Sequence, residues 1–211
     1  DGVWINTKPF TLEQQRGKVV LVDFWTYSCI NCLRTLPHLE AWDSAYRRDG
    51  LVIVGVHTPE FAFEHVVSNV RSAAKRLGVH YPIAIDNRYA TWEAYSNQYW
   101  PAEYLIDRQG HVRHAHFGEG EYGRTEQLIR QLLASRSAEL TAATHEPDMT
   151  PTDLTTPETY LGYERLERYV GSSIVRNREA TYRFPSRIGA NELAYAGRWR
   201  VERERIVAGA G

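Results

Sequence analysis

Two stretches near the start of the chain are apolar at almost every position, KVVLVDFW at 18–25 and LVIVGVH at 51–57. Such β-branched runs predict central strands covered on both faces. Between them, residues 29–48 carry Leu33, Leu36 and Leu39 at helical spacing, charge at Arg34, Glu40, Asp43, Arg47 and Arg48, and a stop at Asp49-Gly50. The pattern predicts strand, helix, strand, with the strands parallel and the crossover right-handed. Residues 60–77, EFAFEHVVSNVRSAAKRL, predict a second helix, acidic at its start, basic at Lys75-Arg76 and stopped by Gly78. A short strand at YPIAI and a helical stretch near Ala90 to Ser96 follow. EYLID, the turn Arg108-Gln109-Gly110 and HVRHAHF predict an antiparallel hairpin. A last amphipathic helix, Arg124 to Ser135, turns Leu128, Leu132 and Leu133 inward.

The pattern changes at Thr144. THEPDMTPTDLTTPE holds three prolines and five threonines, a composition that connects rather than packs. Beyond it, EATYRFP and NELAYAGRWRVERERIVAG alternate as strands do, with Leu193, Tyr195, Gly197, Trp199 and Val201 on one parity. Three parts are expected: an α/β domain at 1–142, a linker at 143–157 and an all-β module at 158–211. A closed sandwich usually needs about 100 residues, so this module is expected to be truncated at Gly211 or completed by contacts elsewhere.

Composition narrows the function. Apolar residues make up 43% and charged ones 24%, the balance of an ordinary globular protein. The formal net charge is −1 with both signs interleaved, so no single-sign face is expected to hold a nucleic acid or an acidic membrane surface. The longest apolar runs are strand-length, short of the roughly 20 residues a membrane-spanning helix needs. The chain opens on Asp-Gly-Val-Trp without a charged leader and apolar core, so any export signal or anchor is expected outside it. Two cysteines are too few for a disulfide framework.

Both cysteines lie in FWTYSCINCLRTLP, at Cys29 and Cys32. Cys29 falls where the first strand ends and a helix begins, and the helix N-terminus favours its thiolate. Cys32 is one turn further in on the same face, close enough to close a small disulfide ring. The spacing suits an exposed attacking thiol and a shielded resolving thiol. Asp23, in the apolar run before Cys29, is a candidate proton carrier for Cys32.

At this point VVLVDFWTYSCINCLRTLP resembles the strand–CxxC–helix of the thioredoxin superfamily, including Asp23 and Pro37. YWPAEYLIDRQGHV is similar to the superfamily's cis-proline strand and hairpin. The resemblance makes Pro101 the cis-proline and Trp100 the residue whose backbone pairs with an incoming client strand. It extends the expected client surface to Trp25, Tyr27, Ile30 and Asn31. The added helix at 60–77 resembles the extracytoplasmic TlpA/ResA-like branch, which includes cytochrome c maturation reductants. With TPETYLG and the all-β tail, the chain is most similar to the soluble C-terminal region of DipZ-type proteins, in which a CcdA-like membrane domain precedes a thioredoxin-like domain and a carbohydrate-binding-module-like sandwich.

The resemblance implies a thioredoxin-like fold, a mixed sheet flanked by helices, followed by a small β-sandwich. It implies a thiol:disulfide oxidoreductase with no cofactor beyond the Cys29–Cys32 disulfide. Electrons would come from the CcdA-like domain, and the clients would be exported proteins such as apocytochrome c. The location implied is extracytoplasmic, tethered to the cell membrane through a part outside this chain. Ser28-Cys-Ile-Asn-Cys lacks the proline or histidine that often accompanies a set potential, so the reductive direction comes from the resemblance alone.

Three other readings compete with dithiol exchange. A zinc half-site lacks a second CxxC or a spaced histidine pair, and the histidines at 111, 114 and 116 fall in the predicted hairpin. A thiol peroxidase would use Thr26-x-x-Cys29, but Val22 stands where those enzymes carry proline. A glycan- or protein-binding tail would present Tyr160, Tyr163, Tyr195 and Trp199, for which core packing is the simpler explanation.

Overall fold

The computed structural model describes residues 2–134, 140–153 and 156–209. A two-residue strand that the apolar pattern does not announce, β1 (Trp4–Ile5), precedes the first apolar run, which forms β2 (Val19–Trp25). Helix α1 (Ile30–Tyr46) follows, and the second apolar run forms β3 (Leu51–His57), parallel to β2 in the expected crossover unit. The side chains of β2 divide by parity. Val19, Leu21 and Trp25 join the core under α1, while Val20, Val22 and Phe24 pack on the opposite face with Val54 and Val56. Burial on both faces is why the run has no polar alternation.

The single helix expected at 60–77 is broken in two. Ala62–His65 form a 3-10 turn, Val66 is extended, and α2 (Val67–Leu77) begins after it. Glu64 causes the break: it is fully buried, and its Oε2 accepts the N–H groups of Glu60 at 2.6 Å and Phe61 at 3.0 Å. Gly78, at φ +72, ends α2 as its sequence position suggests. Then come β4 (Ile83–Ile85), the short α3 (Ala90–Ala94), β5 (Ala102–Ile106), β6 (Val112–Phe117) and α4 (Tyr122–Ala134). Ser135, the expected end of the last helix, lies outside the described residues.

The six strands form one mixed sheet in the order β1-β4-β3-β2-β5-β6. β2 is central, parallel to β3 and antiparallel to β5, and β5 and β6 form the expected hairpin. The chain divides into two compact units, Asp1–Thr150 and Pro151–Gly211. The first unit therefore runs past the expected boundary at 142. Thr144, assigned to the linker by composition, donates its N–H and hydroxyl to the Glu126 carboxylate on α4, at 2.7 and 3.0 Å.

In the second unit β7 (Glu179–Tyr182), β8 (Gly197–Val201) and β9 (Ile206–Ala208) make a three-stranded antiparallel sheet over Tyr182, Tyr195 and Val201. Isolated bridges join Tyr169 to Leu193 and Arg176 to Val201. The alternation expected from Leu193 becomes a strand only at Gly197. Before it, side-chain bonds to the backbone take over: Tyr195 OH donates to Leu161 O and Trp199 Nε1 to Ala196 O, both at 2.7 Å. The expected end point, Gly211, lies outside the described residues.

Candidate active site

The central strand ends at Trp25 and the chain turns through Thr26, Tyr27 and Ser28 to Cys29, the N-cap of α1. Cys29 is extended there (φ −74, ψ 117), its carbonyl accepts the Leu33 N–H at 3.0 Å, and its side chain caps nothing. Both thiols are free, with Cys29 half-buried and Cys32 only 1% exposed. The Cys29 pKa is lowered by a hydrogen bond from the Cys32 thiol, helped by the N–H groups of Cys32 and Asn31 and opposed by burial and by Glu60. Burial pushes Cys32 well above the ordinary thiol value, and its bond to Cys29 pushes it further. Two thiols in contact, one poised to ionise and exposed, the other protonated and shielded, can carry out dithiol exchange.

Opposite the pair, the Trp100–Pro101 peptide bond is cis. The Cys29 thiol reaches the Trp100 carbonyl at 3.8 Å, and the Trp100 indole is held by a 3.0 Å bond to Thr58 O and by packing on Trp92. Asp23 is 1% exposed and its pKa is raised well above the carboxylate range, chiefly by burial and then by Glu103 and Cys29.

Of the expected client-surface residues, Ile30 is 55% exposed, and Tyr27 and Asn31 are partly exposed beside Cys29. Trp25 is a correction. As the last residue of β2 its parity turns it into the core, where it is fully buried against Gly55, Tyr81 and His57, so it touches no client.

Five further residues shape the site. Ser28 donates to Glu64 at 2.5 Å, tying the residue before Cys29 to the 3-10 turn. Thr26 is buried and bonded to His57 at 3.4 Å, and the His57 ring stacks on Tyr27. Burial lowers the His57 pKa to about 4, which keeps the ring neutral. Glu103 is 2% exposed beside Asp23, raised by burial to about 7. Glu103 and Asp23 carry the same sequence signal, a carboxyl on the parity of a buried strand face. Glu64 carries none, since an acid near a helix start is ordinary.

The other candidates are placed elsewhere. Among the described residues no group of three or more His, Cys, Asp or Glu side chains is arranged to hold a metal. Tyr195 and Trp199 pack into the core of the second unit, and Arg165 and Arg176 cover the rings of Tyr160 and Tyr163.

A mixed sheet with a helix-capping CxxC facing a cis-proline defines a thioredoxin-like thiol-disulfide oxidoreductase. The chain belongs to the AhpC/TSA family, whose model matches residues 5–115, and residues 156–211 match the thioredoxin-like C-terminal domain. It is 50% identical over 206 residues to Protein DipZ of Mycobacterium bovis, covering 94% of this chain and 30% of that protein. The chain thus spans less than a third of that relative's length. It is 30% identical over 132 residues to the thiol-disulfide oxidoreductase YkuV of Bacillus subtilis, covering 62% of this chain and 88% of that protein. Among solved structures, a thioredoxin-like protein in the oxidised form superposes at a TM-score of 0.56 with 30% identity, over 64% of this chain and 90% of that one.

Proposed function

We propose that the chain reduces disulfides of exported proteins through Cys29 and Cys32. Cys29, as thiolate, attacks a client disulfide and forms a mixed disulfide. Cys32 then attacks the Cys29 sulfur, with Asp23 taking its proton, and the client leaves reduced. One observation supports this above the rest, the opposite pKa shifts of the two thiols in one hydrogen-bonded pair. Pro101 and the Trp100 carbonyl orient the client strand, while Tyr27, Ile30 and Asn31 touch its side chains.

The 50% identity to DipZ supports an extracytoplasmic site and electrons supplied by a CcdA-like membrane domain, with cytochrome c maturation as the pathway. No helix among the described residues is long and apolar enough to cross a membrane. The sheet and bridges of the second unit support a small sandwich of the carbohydrate-binding-module type, without assigning a ligand. Peroxidase chemistry is the poorer reading, because the Thr26 hydroxyl that would orient a peroxide is bonded to His57.

The test is disulfide reduction in a reconstituted assay. Cys29→Ala is expected to abolish it, whereas Cys32→Ser is expected to accumulate a covalent mixed disulfide visible by mass spectrometry. Full activity of Cys29→Ala would sink the mechanism.

A further inference from the structure

Burying a thiol that must lose its proton raises the question of where the proton goes. Cys32 is 1% exposed, and Asp23 beside it is equally closed off. The sheet register supplies a continuation. Asp23 on β2 is paired with Glu103 on β5, and Glu103 with His116 on β6. Residues paired this way share a face, with Cβ atoms about 4.5–5.5 Å apart. Neither carboxyl oxygen of Asp23 has a hydrogen-bond partner among the described residues, and the Glu103 carboxyl leans only on the Thr125 hydroxyl of α4. Unpartnered polar groups in a core are costly. His116 sits at the far end, with its Nε2 buried and unpartnered and its Nδ1 3.9 Å from Glu121, whose side chain is 66% exposed.

Cys29 and Cys32 on α1, Tyr81 before β4 and Glu103 act on or respond to Asp23. Glu103 faces Asp23, His116 and the Thr125 hydroxyl of α4. Beside His116 are His114 on its own strand and Glu121 ahead of α4, and Arg124 on α4 acts on the same histidine pair through His114.

We propose that Glu103 and His116 extend Asp23 into a proton relay, with water bridging the gaps between their side chains, carrying the Cys32 proton across three strands to solvent at Glu121. The proposal rests on Cys32 being the resolving thiol. In that step the Cys32 sulfur forms a bond to the Cys29 sulfur, and the bond between Cys29 and the client breaks. The dithiol is oxidised by two electrons, the client sulfur leaves as thiolate and takes a proton from solvent, and the Cys32 proton passes to Asp23. Glu103 and His116 act through Asp23, so they are positioning residues. Burial raises both carboxyls, Glu103 to about 7, so Glu103 is suited to pass a proton on.

The experiment uses the full chain, pre-reduced and mixed with a disulfide peptide. The rates of mixed-disulfide formation and of Cys29–Cys32 closure are followed separately from acid to alkaline pH. Glu103→Gln removes the charge that adds to burial in raising Asp23, so the acid-side midpoint of closure is expected to fall. The closure rate is expected to drop about tenfold, a part of the ~100-fold a direct base supplies, with Glu103→Asp recovering part of it. His116→Phe is expected to slow closure similarly, and added imidazole to restore it. Closure with the wild-type midpoint and rate in Glu103→Asp, Glu103→Gln and His116→Phe would overturn the relay, as would a slow His116→Phe that imidazole leaves slow. Should Glu103→Gln fail to fold, the other two variants still decide. Failure of the wild-type chain to form any mixed disulfide would overturn the underlying function instead.

Discussion

At the scale of single residues, two buried side chains pull the pH dependence of stability in opposite directions. Burial raises Glu103 from 4.5 to about 7, so the stability linked to its bound proton is fully present below about pH 4.5 and is lost as pH rises through 7. His57 is lowered from 6.5 to about 4, so its contribution is present above pH 6.5 and is lost as pH falls through 4. Each shift is worth on the order of 3 kcal/mol. Urea titrations are expected to show Glu103→Gln gaining on wild type between pH 4.5 and 7, and His57→Phe gaining as pH falls from 6.5 to 4. Parallel curves for wild type and both variants would refute these assignments. The same residues mark what the sequence reveals. Cys29 and Cys32 are legible because spacing carries their chemistry, and Asp23 because a lone carboxyl interrupts an apolar strand, whereas Pro101 is legible only through the resemblance of its segment. Trp25 misleads because nearness in sequence to Cys29 says nothing of the side a strand residue faces, and Glu103 shows only once β5 is laid beside β2.

At the scale of elements, the segment 60–66 shows where helical pattern fails. Val66, Val70, Ala73 and Ala74 lie at helical spacing, so the stretch reads as one helix back to Glu60. The Glu64 carboxylate instead collects two backbone N–H groups and the Ser28 hydroxyl, and no periodicity encodes a side chain that bonds to a distant loop. Glu64→Ala strips three donors of their acceptor. Its expected cost is about 2 kcal/mol, read as a lower urea midpoint, with faster amide exchange at Glu60 and Phe61. Glu64→Gln keeps one acceptor oxygen and is expected to recover about half of that loss. Unchanged exchange at both amides in the alanine variant would show that the turn is held by something else. Strands β2 and β3 are legible for the opposite reason, since burial on both faces writes itself into every residue. β1 escapes notice because two residues carry no pattern, and its pairing with β4 is purely tertiary.

At the scale of the whole molecule, the two units differ in how much core each owns. The first holds two apolar layers on either side of a six-stranded sheet, including the fully buried Trp25, Trp42, Tyr46 and Tyr81. The second has Tyr182, Tyr195 and Val201 as its buried apolar centre. Its ion pairs, such as Arg198–Glu179 and Arg203–Glu164, are largely exposed, and exposed pairs contribute ~0–1 kcal/mol each. A domain of about 60 residues buries only about 60% of the surface its unfolded chain exposes, so the second unit should unfold first. Trp199 is its one tryptophan and the other five lie in the first unit, so emission from a Trp199→Phe chain isolates the first unit's transition by difference. Two separated urea transitions are expected, the earlier one lost in Trp199→Phe. A piece ending at Thr150 should keep the later midpoint and the disulfide-reducing activity, because Cys29 and Cys32 at the start of α1, Asp23 on β2 and Pro101 just before β5 all lie within it. A single transition that shifts as a whole when the second unit is removed would mean that the units fold as one.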